Sequence, residues 1–314
     1  MDHWLNASDG LHCAAVIEYE TKRWAHVVFR VHGSVLPRIM GRTLLFSGVG
    51  ALIAYLHFER GIDLSIPGTA HAMVGVALGL LLVFRTNASY DRYWEGRQLL
   101  GAMVNNCRDL VRQASSLMTQ SSAHARGDVH RYTIALYATI RRYLRRECEY
   151  PELSECLSPG EIEEISASAA APLLVARWIS DCLVAEADAG RLSEVRLRHI
   201  DTTISDLVDE WGGTERILNT PVPFAYAHHI KSFLTLFCLT APFALLGTVA
   251  WFTPVATAVV SYGLFGIDEI GVEIEDPFGY DANDLPLDEI GRSINSCVVD
   301  AMEFDQAERK ENVL

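Results

Sequence analysis

Val76, Leu80 and Phe84 recur every four residues in the segment HAMVGVALGLLLVFRTNASYDRYWEGR. On a helix that spacing makes a nearly continuous apolar stripe along one face. Gly75 and Gly79 form a parallel small-residue stripe, which permits close packing of neighbouring helices. Polar residues then begin abruptly, at Arg85, Asn87, Ser89, Asp91 and Arg92. If copies of this helix surround an axis, the stripe builds stacked apolar rings that constrict a pore and gate it by dewetting. Taken alone, the periodicity favours a plainer role, a surface facing lipid or other helices.

The remaining reactive side chains do not form a catalytic pattern. The chain has no GxSxG, Walker loop, HExxH or GxGxxG, so no enzyme is expected. His228 and His229 are adjacent and point about 100° apart on a helix, which suits an interfacial structural role better than a shared metal face. The seven cysteines, Cys13, Cys107, Cys148, Cys156, Cys182, Cys238 and Cys297, include no CxxC pair. Their odd number and scatter speak against a disulfide framework and a zinc ribbon. The 26 Lys and Arg face 40 Asp and Glu, a formal net charge of −14, so nucleic acid is not an expected partner.

The elements that position the stripe are membrane helices. Mean hydropathy is only +0.14, but the apolar residues come in blocks. Residues 43–58 carry no formal charge, and residues 66–84 carry none until Arg85. Residues 233–267 form a third uncharged block, broken by Thr253-Pro254 and too long for one span. Four spans in two hairpins are therefore expected, the last short enough for its inner end to lie in protein. Residues 1–30 contain His12, Glu18, Glu20, Lys22 and Arg23 without an apolar stretch, so no cleavable signal peptide is expected. Lys22, Arg23, Arg30, Arg38 and Arg42 precede the first span, and Arg85, Arg92 and Arg97 follow the second. That bias puts both termini in the cytoplasm.

The organisation that follows is a cytosolic N-terminal segment over 1–37, a transmembrane helix over 38–58, and a second over 66–118 that continues into the cytosol. A cytosolic helical region covers 119–227. Transmembrane helices over 228–252 and 254–270 precede an acidic cytosolic segment over 271–314. After Ile267 the chain carries 14 Asp and Glu against three Lys and Arg. In the cytosolic region, Ser158-Pro159-Gly160-Glu161 reads as a helix cap. A helix from Glu194 to Trp211 is expected to close at Gly212-Gly213. The cluster Arg141, Arg142, Arg145 and Arg146 is expected to pair with local Glu rather than dock on anionic headgroups.

FRTNASYDRYWEGR, over 84–97, resembles the hallmark of the bacterial bestrophins. VHGSVLPRI over 31–39, GGTERILNTPVPFAYAHHI over 212–230 and IEDPFGYDANDLPLD over 274–288 resemble the same family, in the right order. The resemblance implies an all-α, polytopic membrane protein of the bacterial inner membrane, a homopentamer around a central pore. Its partners would be its own copies, the lipid bilayer and small monovalent ions. By similarity Val76, Leu80 and Phe84 line the neck, and a cytosolic aperture falls on Val195 in GRLSEVRLRHID. The acidic stretch resembles the calcium clasp of animal bestrophins, which makes Asp276, Asp281 and Asp284 candidate Ca²⁺ ligands. Ala282 and Asn283 interrupt the acidic run, and a helix-capping, subunit-docking turn is the alternative.

The reading that results is a passive ion channel with no catalytic cofactor. Animal bestrophins are known as chloride channels, whereas a characterised type among bacterial relatives is cation-selective. The net charge of −14 favours Na⁺ and K⁺. The arginines below the neck would favour anions if they faced the pore. One helix cannot aim Arg85, Arg92 and Arg97 all at an axis, and Asp91 and Glu95 stand ready as partners. Monovalent cations are therefore expected, with anion selectivity as the alternative. A membrane-anchored sensor or scaffold is the rival from another class.

Overall fold

The computed structural model describes residues 24–31 and 33–311, with side chains described to residue 304. Most of the expected N-terminal segment, including Cys13, Lys22 and Arg23, lies outside the described residues, as do His32 and the last three residues. Every regular element among the described residues is helical.

A short helix α1 (Trp24–Val28) precedes α2 (Leu36–Phe58) and α3 (Gly68–Leu117). Helices α4 (Ala123–Leu144), α5 (Pro159–Ala167), α6 (Ala171–Asp188) and α7 (Glu194–Asn219) follow, with a 3-10 turn at Pro151–Glu155. Helices α8 (Phe224–Val249) and α9 (Thr253–Glu273) are joined by a 3-10 turn at Ala250–Phe252, and α10 (Leu287–Glu311) closes the chain. Among the described residues, three stretches are long and apolar enough to cross a membrane: Leu36–Phe58, Gly68–Leu117 and the α8–α9 run Phe224–Glu273.

Local chemistry sets several helix starts. Ser122 accepts from Ala125 N at 3.1 Å at the start of α4. Ser158 and Glu161 form a reciprocal capping box at the start of α5, each satisfying a backbone N–H left free by the first turn. Ser193 accepts from Arg196 N at 3.4 Å and caps α7.

The apolar helices pack antiparallel. Ser47 of α2 donates to Pro254 O at 3.1 Å, Phe46 stacks on Phe265 at 5.4 Å, and Arg42 pairs with Glu269 at 3.0 Å. Thus α2 and α9 run in opposite directions along their length. Helix α8 lies on α3 through His71, which stacks on Phe237 at 4.0 Å. Gly75 makes that approach possible, since a Cβ there would stand 3.0 Å from the Phe237 ring. Gly79 has nothing within 4 Å of such a position, so only the first of the two small residues serves packing inside the chain.

Below this layer, the second half of α3 packs against α4, α7 and α10, and α6 packs in turn on α4 and α7, around Leu100, Met103, Leu110, Leu136, Ile179 and Leu207. Here the structure corrects the expected end of α7. The helix passes through Gly212-Gly213 and continues to Asn219. A Cβ on Gly213 would stand 2.8 Å from Leu99 of α3, so this glycine provides a close approach between helices rather than a cap. Of the arginine cluster, Arg141 and Arg142 pair with Glu147 and Glu152 as expected, while Asp288 at the start of α10 takes Arg141 and Arg145; Arg146 is exposed. Those ion pairs fasten α10 to α4.

Candidate functional site

Helix α3 has two faces with opposite fates. Leu78, Leu82, Arg85 and Ser89 are buried against the rest of the chain. Val76, Leu80 and Phe84 are 67%, 55% and 63% exposed. At about 100° per residue the two sets are centred about 170° apart. The chain uses one side of α3 for its own packing and leaves the apolar stripe uncovered.

The same geometry carries the stripe downward. Asn87 and Asp91 fall on the face of Val76, Leu80 and Phe84, and both are exposed. Sequence reading missed these two as members of the face, although the helical period already contained the signal: no breaker separates them from Phe84.

The arginines take other directions. Arg85 is 2% exposed and pairs with Asp268 of α9, with Glu275 as a second carboxylate at 3.7 Å. Arg92 donates to three backbone carbonyls, those of Thr220, Ile217 and Glu275, two of them at 2.7 and 3.1 Å. The expected partners Asp91 and Glu95 do not serve them; Glu95 pairs with Arg216. Capping carbonyls and acids from distant segments hold these side chains, and only the fold brings those segments close.

Val195 stands in the first turn of α7 and is 80% exposed. Helix α7 runs antiparallel to the lower half of α3: Arg92 and Glu95 meet the end of α7, while Arg196 donates to Leu117 O at 3.1 Å. Phe84 and Leu117 are 33 residues apart on one helix, about 50 Å. The structure therefore sets the neck candidates and the aperture candidate at opposite ends of a rigid helix pair.

The three acidic candidates share one loop; Asp276 is exposed, and the other two are already committed. Asp281 pairs with Arg38 at 2.7 Å. Asp284 accepts from Asp281 N at 2.7 Å, and its own N–H donates back to Asp281 O at 3.0 Å. Burial, with Asp281, Asp276 and Glu273 close by, pushes the Asp284 carboxyl up to about 7. Asn283 donates to Gly33 O and to Glu273. Among the described residues no group of three or more His, Cys, Asp or Glu is arranged to hold a metal ion. Through Arg38 and Gly33 the loop acts as a turn that docks the segment leading into α2. His228 and His229 stack on Phe224 and Phe233 respectively, within their own helix.

The chain matches the family model for bacterial and fungal bestrophin proteins over residues 16–300. It is 39% identical to a protein of Nostoc sp. named voltage-dependent anion channel-forming protein, over 86% of this chain and 88% of that one. A Synechocystis protein of the same descriptive name is 35% identical, over 90% and 92%. The crystal structure of a bacterial bestrophin homologue from Klebsiella pneumoniae superposes with a TM-score of 0.78 at 29% identity, covering 86% of this chain and 99% of that one. With its exposed α3 stripe, its membrane-length helices and these relatives, the chain belongs to the bacterial and fungal bestrophin family.

Proposed function

We propose that this bestrophin is a homopentameric ion channel, whose five copies of α3 surround an axis. Val76, Leu80 and Phe84 form the neck, and Val195 forms the cytosolic aperture. Helices α2, the first part of α3, α8 and α9 are the four spans of a multi-pass protein of the bacterial inner membrane. The basic residues Arg30, Arg38, Arg42, Arg85, Arg92 and Arg97 all fall at one end of these spans, which supports cytoplasmic termini. The observation that carries the reading is the uncovered Val76/Leu80/Phe84 stripe, opposite the face the chain packs itself. Rings of such side chains offer no ligands to replace an ion's water and so control passage by wetting.

Small monovalent anions are the reading that the relatives support, since their names specify anion channels. The names of these relatives lend no support to the cation preference expected from net charge. One observation still favours cations as a second reading: Arg85 and Arg92 are tied down, while Asn87 and Asp91 continue the pore face.

Purified protein reconstituted in liposomes tests both. A reversal potential that follows the Cl⁻ gradient establishes anion conduction, and one that follows Na⁺ or K⁺ establishes the second reading. Light scattering in mild detergent is expected to report five subunits. A conducting monomer would remove the axial pore, and absent flux from intact assemblies would remove the channel.

A further inference from the structure

Arg85 follows Phe84 directly, so the last proposed neck residue has a permanent cation as its chain neighbour. That cation is withdrawn from the stripe. Arg85 and Asp268 are each 2% exposed and paired. Its Nε has no partner, so the side chain is held by its ends rather than satisfied throughout. Lys231 and Arg42 also act on Asp268, while Glu269 and Glu275 supply nearby negative charge. Asp268 therefore stands as the close anion in a patch where several cations converge.

A buried cation that loses its partner is left with a large desolvation penalty, and it moves toward water when a route exists. Arg85 projects about 140° round α3 from the face of Val76, Leu80 and Phe84, so an unpaired charge there acts on the pore through the low-dielectric protein rather than by entering it. We infer that Asp268 is a positioning residue for ion selectivity: it neutralises the Arg85 charge directly behind the stripe and so keeps the neck electrically neutral. This inference rests on the α3 stripe lining the pore. Five unneutralised arginines would set a ring of positive charge around the outside of the neck, which attracts anions and repels cations whichever ion the native channel prefers.

The test is the permeability ratio of Cl⁻ to K⁺ in liposomes, measured for Asp268→Asn, Arg85→Gln, the double variant and Glu275→Gln. Asp268→Asn is expected to raise the ratio about threefold or more. Arg85→Gln, which leaves the acid behind, is expected to lower it, and the double variant to return it to the native value. Glu275→Gln removes the outer, partly exposed carboxylate and is expected to raise the ratio by less; it serves where Asp268→Asn does not assemble. Loss of a merely structural contact would not give shifts of opposite sign that cancel. Shifts of the same sign, or unchanged ratios in assembled and conducting variants, would overturn the inference. Leu80→Ala is measured alongside: unchanged current there removes the pore-lining reading itself, whereas altered current with an unmoved Asp268→Asn ratio removes only the role of Asp268.

Discussion

Asn106 of α3 donates to Glu210 of α7 at 2.6 Å, and the second carboxylate oxygen of Glu210 is buried with no partner. A carboxyl with one oxygen unmet thus sits in the seam that joins α3 to α7. Burial, aided by Asp206 and Asp209, pushes this carboxyl up to about 7 against the opposing effect of the Asn106 hydrogen bond.

The direction of that shift fixes a pH dependence. Between the ordinary carboxyl value of 4.5 and about 7, the folded chain holds the proton more tightly than the unfolded chain. Stability at this site therefore falls as pH rises through that window and is level above it. Glu210→Gln keeps an acceptor for Asn106 and removes the charge, so it is expected to stabilise the protein at pH 8 by about 1–3 kcal/mol. Melting curves of the detergent-purified protein from pH 5 to 8 should show a shallower pH slope for the variant, with Asp284 supplying part of what remains. Parallel curves for the two proteins would count against the assignment.

The opposite sign is expected at Glu186. Its carboxylate accepts from Arg191 through two bonds of 2.7 Å and from the backbone and hydroxyl of Ser122 at 3.1 Å. The Arg191 guanidinium and the Ser122 donors hold it down at about 2. Its contribution is present above the ordinary value of 4.5 and is lost as pH falls toward 2. Glu186→Ala is expected to cost about 1–3 kcal/mol at neutral pH. The gap to the native protein should narrow in melting experiments near pH 3; a gap of constant size would contradict the charge-based account.

At the neck, Leu80→Ala and Phe84→Ala each remove most of a side chain that touches little of its own chain. Folding should be nearly unaffected, while single-channel current rises about twofold or more as the apolar constriction widens. Native currents in both variants, with assembly intact, would place the pore elsewhere.

Calcium provides a fourth measurement. With Asp281 on Arg38 and Asp284 on the backbone of Asp281, the acidic loop has few free oxygens to offer. Chelation is expected to leave flux unchanged. A calcium-dependent current that Asp281→Asn abolishes would mean the loop rearranges to bind the ion.

The helices themselves were largely legible in the sequence. Uncharged blocks ending at Arg85 and breaking at Thr253-Pro254 reflect the cost of charge in an apolar layer, and that cost is local to each residue. The Ser158 cap was legible for the same reason, because a cap satisfies groups within one turn. The stripe of Val76, Leu80 and Phe84 was also visible as a period, but not whether it faced inward. Tertiary packing decided that, by burying Leu78, Leu82 and Arg85 on the opposite side of α3. Sequence proximity offered Asp91 and Glu95 to the arginines, whereas the fold chose Asp268, some 180 residues away, and the carbonyls at the end of α7. Gly212-Gly213 likewise looked like a stop until Leu99 came to rest against it. Charge partners and close approaches depend on which distant segments meet, and that is settled only when buried groups must all be satisfied at once.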